Sequence, residues 1–313
     1  MTESFNYPET WRLGSRGSDL ALWQTYHVRD LLLEAWPGLA VNVETFSTKG
    51  DQILDKPLPE LGGKGLFTAE LETALRHGAI DAAVHSLKDL PVEPPVGLLV
   101  GAIPQRENPA DVLISQYGYT MESLPKGAIV GTSSRRRAAQ LRHHRPDIQT
   151  ADIRGNVPTR IRKAFDPDGP YDAIILAYAG LKRLRRTDVV SQILSVDSFL
   201  PAPGQGALGI QCRDESASRT MLKPLNSSAS QAAVDAERAF LSGLGGGCAL
   251  PIAAYADLDD GQLTVRGRVT SPDGVRQIDL VSHGSPADAG QLGADLALEA
   301  LELGAAELLE SVA

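Results

Sequence analysis

Two kinds of residue in this chain are placed to do chemistry. The first is Cys248, one of only two cysteines, in the run Gly243-Leu244-Gly245-Gly246-Gly247-Cys248-Ala249-Leu250-Pro251. Consecutive glycines remove side chains and open backbone angles closed to other residues, so this thiol can be reached by something large. A lone cysteine is more often a small buried hydrophobe; the glycines set this one apart. The second is arginine. Thirteen of the 30 Lys/Arg lie between Gly131 and Arg186, and arginine heavily outnumbers lysine there. A guanidinium is a rigid fork that matches carboxylate or phosphate. In a chain of net charge -9, one basic block implies a local anionic ligand rather than nucleic-acid binding.

The elements that must position these residues follow a repeated pattern. Arg12 to Ser15 reads as a strand, Ser18 as an N-cap, Asp19 to Ala35 as a helix, and Val41 and Val43 as the next strand. Thr48 to Gly65 reads as a loop rich in Gly and Pro, suited to a moving segment. Leu66 to Arg76 reads as a helix stopped by Gly78, and Ile80, Ala82 and Val84 as a strand running into His85-Ser86-Leu87-Lys88-Asp89. A second set has strands at Ala128 to Gly131, Ile148 to Ile153 and Ala173 to Ala177. Each leads to a polar or basic residue and then to a helix start. Such βαβ units give parallel sheets, and ligands bind at the carboxyl ends of their strands. Arg135, Arg136 and Arg137 occupy a first helical turn after the Ser134 cap. There they oppose the helix dipole unless an anion sits among them. Pro201 to Gly206 reads as a linker returning the chain to its first domain. From Ser228 the pattern is α+β: a helix delivering the Cys248 loop, three strands joined by Asp259-Asp260-Gly261 and Ser271-Pro272-Asp273-Gly274, and a last helix over Ala287 to Leu303.

With 313 residues, 42% hydrophobic and 22% charged, the chain is a globular protein of two or three domains. No apolar run reaches membrane-spanning length, and no Cys/His spacing fits zinc, so no metal is expected. Met1 to Pro8 carries neither a secretory nor a transit pattern. Two distant cysteines argue against a disulfide framework, and a reducing cytoplasm is the expected compartment. His143-His144 reads as a solvated helix end, and Cys212 as packed rather than reactive.

Several segments together resemble the porphobilinogen deaminase (hydroxymethylbilane synthase) family. They are Leu13 to Ser18, Gly62-Gly63-Lys64-Gly65-Leu66-Phe67, Ala83 to Pro91, Val130 to Arg136, Arg154-Gly155-Asn156-Val157, Tyr171 to Ala177, Pro203 to Ala207 and Gly245 to Pro251. The resemblance runs from about Trp11 to the C-terminus.

That resemblance implies an α/β fold. Two doubly wound, periplasmic-binding-protein-like domains would face a cleft, with a small α+β C-terminal domain carrying an antiparallel sheet. The implied boundaries are residues 1–105 with 200–223 for domain 1, 106–199 for domain 2 and 224–313 for domain 3. The implied reaction joins four porphobilinogen molecules head to tail, with loss of ammonia, into hydroxymethylbilane. It is primed by a dipyrromethane held as a thioether on Cys248. Loss of ammonia leaves a cationic azafulvenium, which one carboxylate beside the pyrrole N–H can stabilise. Asp89 matches the family's catalytic aspartate. Lys88, Ser134, Arg136 and Arg137 match the cofactor grips, and Arg16, Ser18, Lys64, Arg154, Arg160 and Arg183 the substrate-binding set. Lys64 and Phe67 lie at the end of the loop that resembles the active-site lid. Arg135, Arg162, Arg185 and Arg186 match no such role and read as solvated. The resemblance also implies a monomer that hands its product to the next tetrapyrrole enzyme, with no nucleic-acid or membrane partner.

Two rival readings stand beside it. An anion-binding module of the solute-receptor type accounts for the arginines but leaves Asp89 and Cys248 without purpose. A Cys-dependent hydrolase needs a base, and no histidine lies near Cys248 in sequence.

Overall fold

A computed structural model describes residues 7–48, 68–246 and 250–310. The loop expected over Thr48 to Gly65 lies almost wholly outside the described residues, as do Lys64, Phe67 and Cys248. The chain divides into two compact units. The first holds residues 1–53, 63–105 and 208–227, and the second residues 54–62, 106–207 and 228–313.

In the first unit, β1 (Thr10–Arg16), β2 (Ala40–Phe46), β3 (Ala82–Ser86), β4 (Leu98–Ala102) and β10 (Leu208–Arg213) form one sheet in the order β2-β1-β3-β10-β4. Helix α1 (Asp19–Ala35) covers one face, where Val28 and Leu32 pack on Leu13, Val84 and Ile210. Helix α2 (Ala69–Arg76) covers the other through Leu71 and Leu75 against Ile80 and Ala83. Gly78, at φ 67, ends α2 as the sequence predicts. It lets Ala79 N and Gly78 N donate back to Ala74 O and Leu75 O.

The second unit has a sheet of the same order. β5 (Asp111–Ile114), β6 (Ile129–Gly131), β7 (Gln149–Ala151), β8 (Ala173–Ala177) and β9 (Gln192–Ile193) lie as β7-β6-β8-β5-β9. Its helices are α3 (Arg135–His144), α4 (Val157–Ala164) and α5 (Tyr178–Arg183). Leu113, Val130, Leu141, Ile175 and Phe199 fill one face; Val112, Ile114, Ile161, Ile174 and Leu181 fill the other.

Neither sheet is all-parallel, which corrects the expectation drawn from the βαβ units. β10 runs antiparallel to β3 and β4, and β5 runs antiparallel to β8 and β9. Each odd strand is the first to follow a passage of the chain from one unit into the other. It arrives without a crossover helix, so nothing obliges it to run parallel. β4 and β5 escaped sequence reading because they are short apolar runs near prolines, without alternation, and β9 because it is only the pair Gln192–Ile193.

Helices α6 (Ser216–Leu222) and α7 (Ser228–Gly243) follow β10. The remaining strands, β11 (Ile252–Asp259), β12 (Gln262–Thr270) and β13 (Gln277–Gly284), form an antiparallel sheet, followed by α8 (Ala289–Glu302) and α9 (Ala305–Glu310). α7 and α8 pack on one face of it through Phe240, Leu296 and Ala300 against Val265 and Val269. Gly267 is required there, because a Cβ would lie 2.5 Å from Phe240 Cζ. The β12–β13 hairpin docks on α3. Arg142 Nη1 donates to Pro272 O at 2.6 Å, and His143 Nδ1 lies 2.8 Å from Gly274 O. His143 and His144 therefore do end a helix, but both rings are hydrogen-bonded, His144 to Ser198 O at 2.8 Å. Among the described residues no helix is long and apolar enough to cross a membrane.

Candidate active site

The candidate residues of the first unit converge through strand register. β1 and β3 are parallel neighbours, with Gly14 opposite Ala83, so both strands present their carboxyl ends at the same sheet edge. β1 ends at Arg16, half-buried. Ser18 caps α1, accepting from Ala21 N at 3.3 Å. β3 ends at Ser86, whose Oγ accepts from Gln24 Nε2 at 2.9 Å. A single 3₁₀ turn, Leu87–Asp89, follows, closed by Leu90 N donating to Leu87 O at 3.1 Å. It buries Leu87, half-buries Lys88 and leaves Asp89 exposed. This edge thus carries two cations, a hydroxyl and a solvent-facing carboxylate.

Behind them lies His85, which sequence reasoning passed over. Its ring is buried, and its Nε2 has no hydrogen-bond partner. Burial is the main reason its pKa falls to about 4; a contact with Gln211 opposes the fall and Arg16 adds to it. The ring is neutral at physiological pH.

In the second unit the parallel strands β6, β7 and β8 deliver the remaining candidates in the same way. Ser134 caps α3, accepting from Arg137 N at 3.4 Å. Asn156 caps α4, accepting from Thr159 N at 3.0 Å. Arg154 precedes that cap and is half-buried, and Arg160 Nε donates to Gly155 O at 2.8 Å. Arg183 ends α5, is buried, and donates from Nη2 to Gly206 O at 2.7 Å. Burial lowers its pKa to about 10, against the pull of Glu107, so it remains charged at neutral pH.

Arg136 and Arg137, matched to the cofactor grips, already hold an anion within the protein. Both are buried, and both bond Asp111. Arg136 Nη1 donates to Asp111 Oδ2 at 2.8 Å and to Leu200 O at 2.7 Å. Arg137 donates to Asp111 Oδ1 from Nη2 at 2.7 Å and from Nε at 3.1 Å. Burial alone would raise the Asp111 carboxyl; the two guanidiniums together hold it well below the usual carboxylate range. The anion that three first-turn arginines call for is therefore supplied partly from within. Sequence reasoning missed Asp111; the signal that could have found it is a lone acid in the apolar run Ala110 to Ile114, since a buried acid needs a buried cation.

Of the arginines read as solvated, Arg135, Arg162 and Arg185 are exposed, and Arg186 is half-buried in a pair with Asp188. Cys212 is buried, and burial pushes its thiol to about 12. Among the described residues no cluster of His, Cys, Asp or Glu could hold a metal ion.

The first unit is thus an α/β fold with two cations and one exposed carboxylate at the ends of neighbouring strands, an arrangement suited to a small anion. Comparison with known proteins narrows the class. Residues 11–220 match the family model described as "Porphobilinogen deaminase, dipyromethane cofactor binding domain", and residues 231–302 match "Porphobilinogen deaminase, C-terminal domain". A porphobilinogen deaminase of Syntrophobacter fumaroxidans is 48% identical over 302 residues, 96% of this chain and 97% of that one. One of Moorella thermoacetica is 49% identical over 302 residues, 96% of each chain. Among solved structures, the methionine-binding protein MetQ aligns at TM-score 0.41 and 12% identity, over 70% of this chain and 89% of that one. The chain belongs to the porphobilinogen deaminase family, a family of enzymes.

The described residues suit a dipyrromethane, whose rings each carry two carboxylates. The buried cluster sets two guanidiniums against one carboxylate, and Arg136 Nε is a buried donor without a partner.

Proposed function

We propose that this chain joins four porphobilinogen molecules into hydroxymethylbilane with release of ammonia, and that it carries a dipyrromethane primer as a thioether on Cys248. The observation that supports this most is local. Asp89, the one exposed carboxylate of its turn, sits beside Lys88 at the end of β3, next to the strand that ends in Arg16.

When bound, the dipyrromethane supplies an anchored pyrrole end at which the chain grows. Everything else falls to the protein. Asp89 accepts the pyrrole N–H and stabilises the cation formed as ammonia leaves. Arg16, Ser18, Lys64, Arg154, Arg160 and Arg183 hold the acetate and propionate groups of the incoming unit and the growing chain. Lys88, Ser134, Arg136 and Arg137 hold the primer. Each charge-assisted hydrogen bond contributes about 1.5–3 kcal/mol net, so a flexible oligopyrrole needs several. Cys248 needs no unusual acidity, because its electrophile is the same cation and access is what it requires.

In this reading the α/β parts form two domains and residues 224–313 a third. The protein works as a cytoplasmic monomer and passes its product to the next tetrapyrrole enzyme. The test is stoichiometric: purified protein with porphobilinogen should release one ammonia per molecule consumed and form a linear tetrapyrrole. Binding of porphobilinogen with no ammonia released would leave the anion-binding module as the better account.

A further inference from the structure

The proposed reaction gives Arg136 and Arg137 a task and leaves Asp111 without one. Asp111 opens β5, and its carboxylate is fully buried. Besides the two guanidiniums it accepts from Gln205 Nε2 at 2.8 Å. Gln205 is itself buried; it donates to Pro109 O at 2.7 Å and accepts from Arg137 Nη2 at 3.4 Å.

Arg136 and Arg137 are successive residues of a helix, so their side chains leave it about 100° apart. They meet only because the two oxygens of Asp111 draw one guanidinium each, Oδ2 from Arg136 and Oδ1 from Arg137. Further acceptors fix their planes: Leu200 O for Arg136, and Ile175 O for Arg137 at 3.1 Å. A buried ion cluster is weak evidence for stability, because desolvation offsets much of its attraction. This one is also unbalanced, with two cations against one anion, and it keeps an open donor at Arg136 Nε.

We propose that Asp111 is a positioning residue of the primer site. It gathers Arg136 and Arg137 onto one carboxylate and leaves one positive charge and the Arg136 Nε donor for a carboxylate of the ligand. The inference rests on the reading of this chain as a pyrrole-polymerising enzyme with a covalent primer. Gln205 completes the device by fixing which oxygen of Asp111 faces Arg137. Outer partners that orient metal-binding side chains change affinity or activity about 10–100-fold when removed, and a loss of that order is expected for an orienting group here.

The test uses the full-length protein, with Asp111→Asn and Asp111→Glu compared by thermal melting, intact mass and steady-state kinetics. Asp111→Asn keeps the shape but not the charge. The expected result is a folded protein in which fewer molecules carry the two-pyrrole mass increment, with kcat of the loaded fraction about 10-fold lower or more. Asp111→Glu, which restores the charge, should recover most of the increment. Should Asp111→Asn fail to fold, Gln205→Met keeps both ion pairs and removes the amide; it should lower loading in the same direction by a smaller factor. Folded variants with full loading and wild-type kcat and KM, whatever their melting temperatures, would overturn the proposal. A wild-type protein without the increment would instead contradict the reading it rests on.

Discussion

Arg106 grips Glu237 with both terminal nitrogens, Nη1 to Oε1 at 2.6 Å and Nη2 to Oε2 at 3.0 Å. The same carboxylate, fully buried, accepts from Gly204 N at 2.7 Å and Ala256 N at 2.8 Å. One side chain on α7 thus ties together the segment entering β5, the segment leading to β10, and β11. α7 is also the helix that runs toward Cys248. Its end is closed by Gly245, at φ 84, with Gly246 N donating to Leu241 O at 2.9 Å and Gly245 N to Ser242 O at 3.0 Å.

Removing that carboxylate should therefore cost more than a surface ion pair. Glu237→Ala strands a buried guanidinium and two backbone N–H groups, for an expected loss of about 3–5 kcal/mol. Urea unfolding monitored by circular dichroism measures it. A loss of less than about 1 kcal/mol, the value of an exposed pair, would mean that Glu237 is not the anchor described.

Asp89 makes the opposite prediction. It is exposed at the end of a short turn, so Asp89→Asn should shift stability by no more than about 0.5 kcal/mol. Turnover should fall about 10²–10⁴-fold, with the primer still attached in at least part of the protein. Wild-type turnover in this variant would remove Asp89 from its role.

His85 should make stability depend on pH in mildly acid solution. Its pKa is held at about 4, below the ordinary value of 6.5, chiefly by burial. Between these two values the unfolded chain binds a proton that the folded protein excludes. Stability then rises with pH across this window and is lost as pH falls, by up to about 1.4 kcal/mol per pH unit. Above 6.5 the effect vanishes, because neither state is protonated. In unfolding titrations from pH 7 to pH 4.5, His85→Gln should lack this part of the slope. Parallel stability curves for the two proteins would contradict the assignment.

Arg185 should be replaceable with profit. It adopts φ 54 just after α5, with Arg186 N donating to Leu181 O and Arg185 N to Lys182 O. This is the same closing geometry that Gly78 and Gly245 provide at their helices. A side chain there costs about 1 kcal/mol relative to glycine. Arg185→Gly should raise the unfolding free energy by that order and leave turnover unchanged; a destabilised variant would mean that the arginine holds a contact worth more than its strain.

The sequence made the local grammar of the fold plain and its long-range pairing obscure. Helix α1, its Ser18 cap, the Gly78 stop and strand β8 follow from caps, glycines and apolar runs, which act over a few residues. The antiparallel strands β5 and β10 depend on partners far away in sequence, Ala173–Ala177 for β5 and Ala82–Ser86 for β10. No local pattern encodes that choice. The candidate site shows the same division. Residues at strand ends were found because strand, cap and helix are consecutive in the chain. Asp111, Gln205 and Glu237 were not, because their importance lies in burial and in partners distant in sequence, such as Arg136 for Asp111 and Arg106 for Glu237.

The central claim is that Cys248 carries a primer made of substrate. Intact mass of the purified protein tests it most directly, and the buried thiol of Cys212 should take no part. The wild type should exceed its sequence mass by two linked pyrrole units, and Cys248→Ser should show no excess and no turnover. A wild type at its bare sequence mass that still converts porphobilinogen to hydroxymethylbilane would contradict the account.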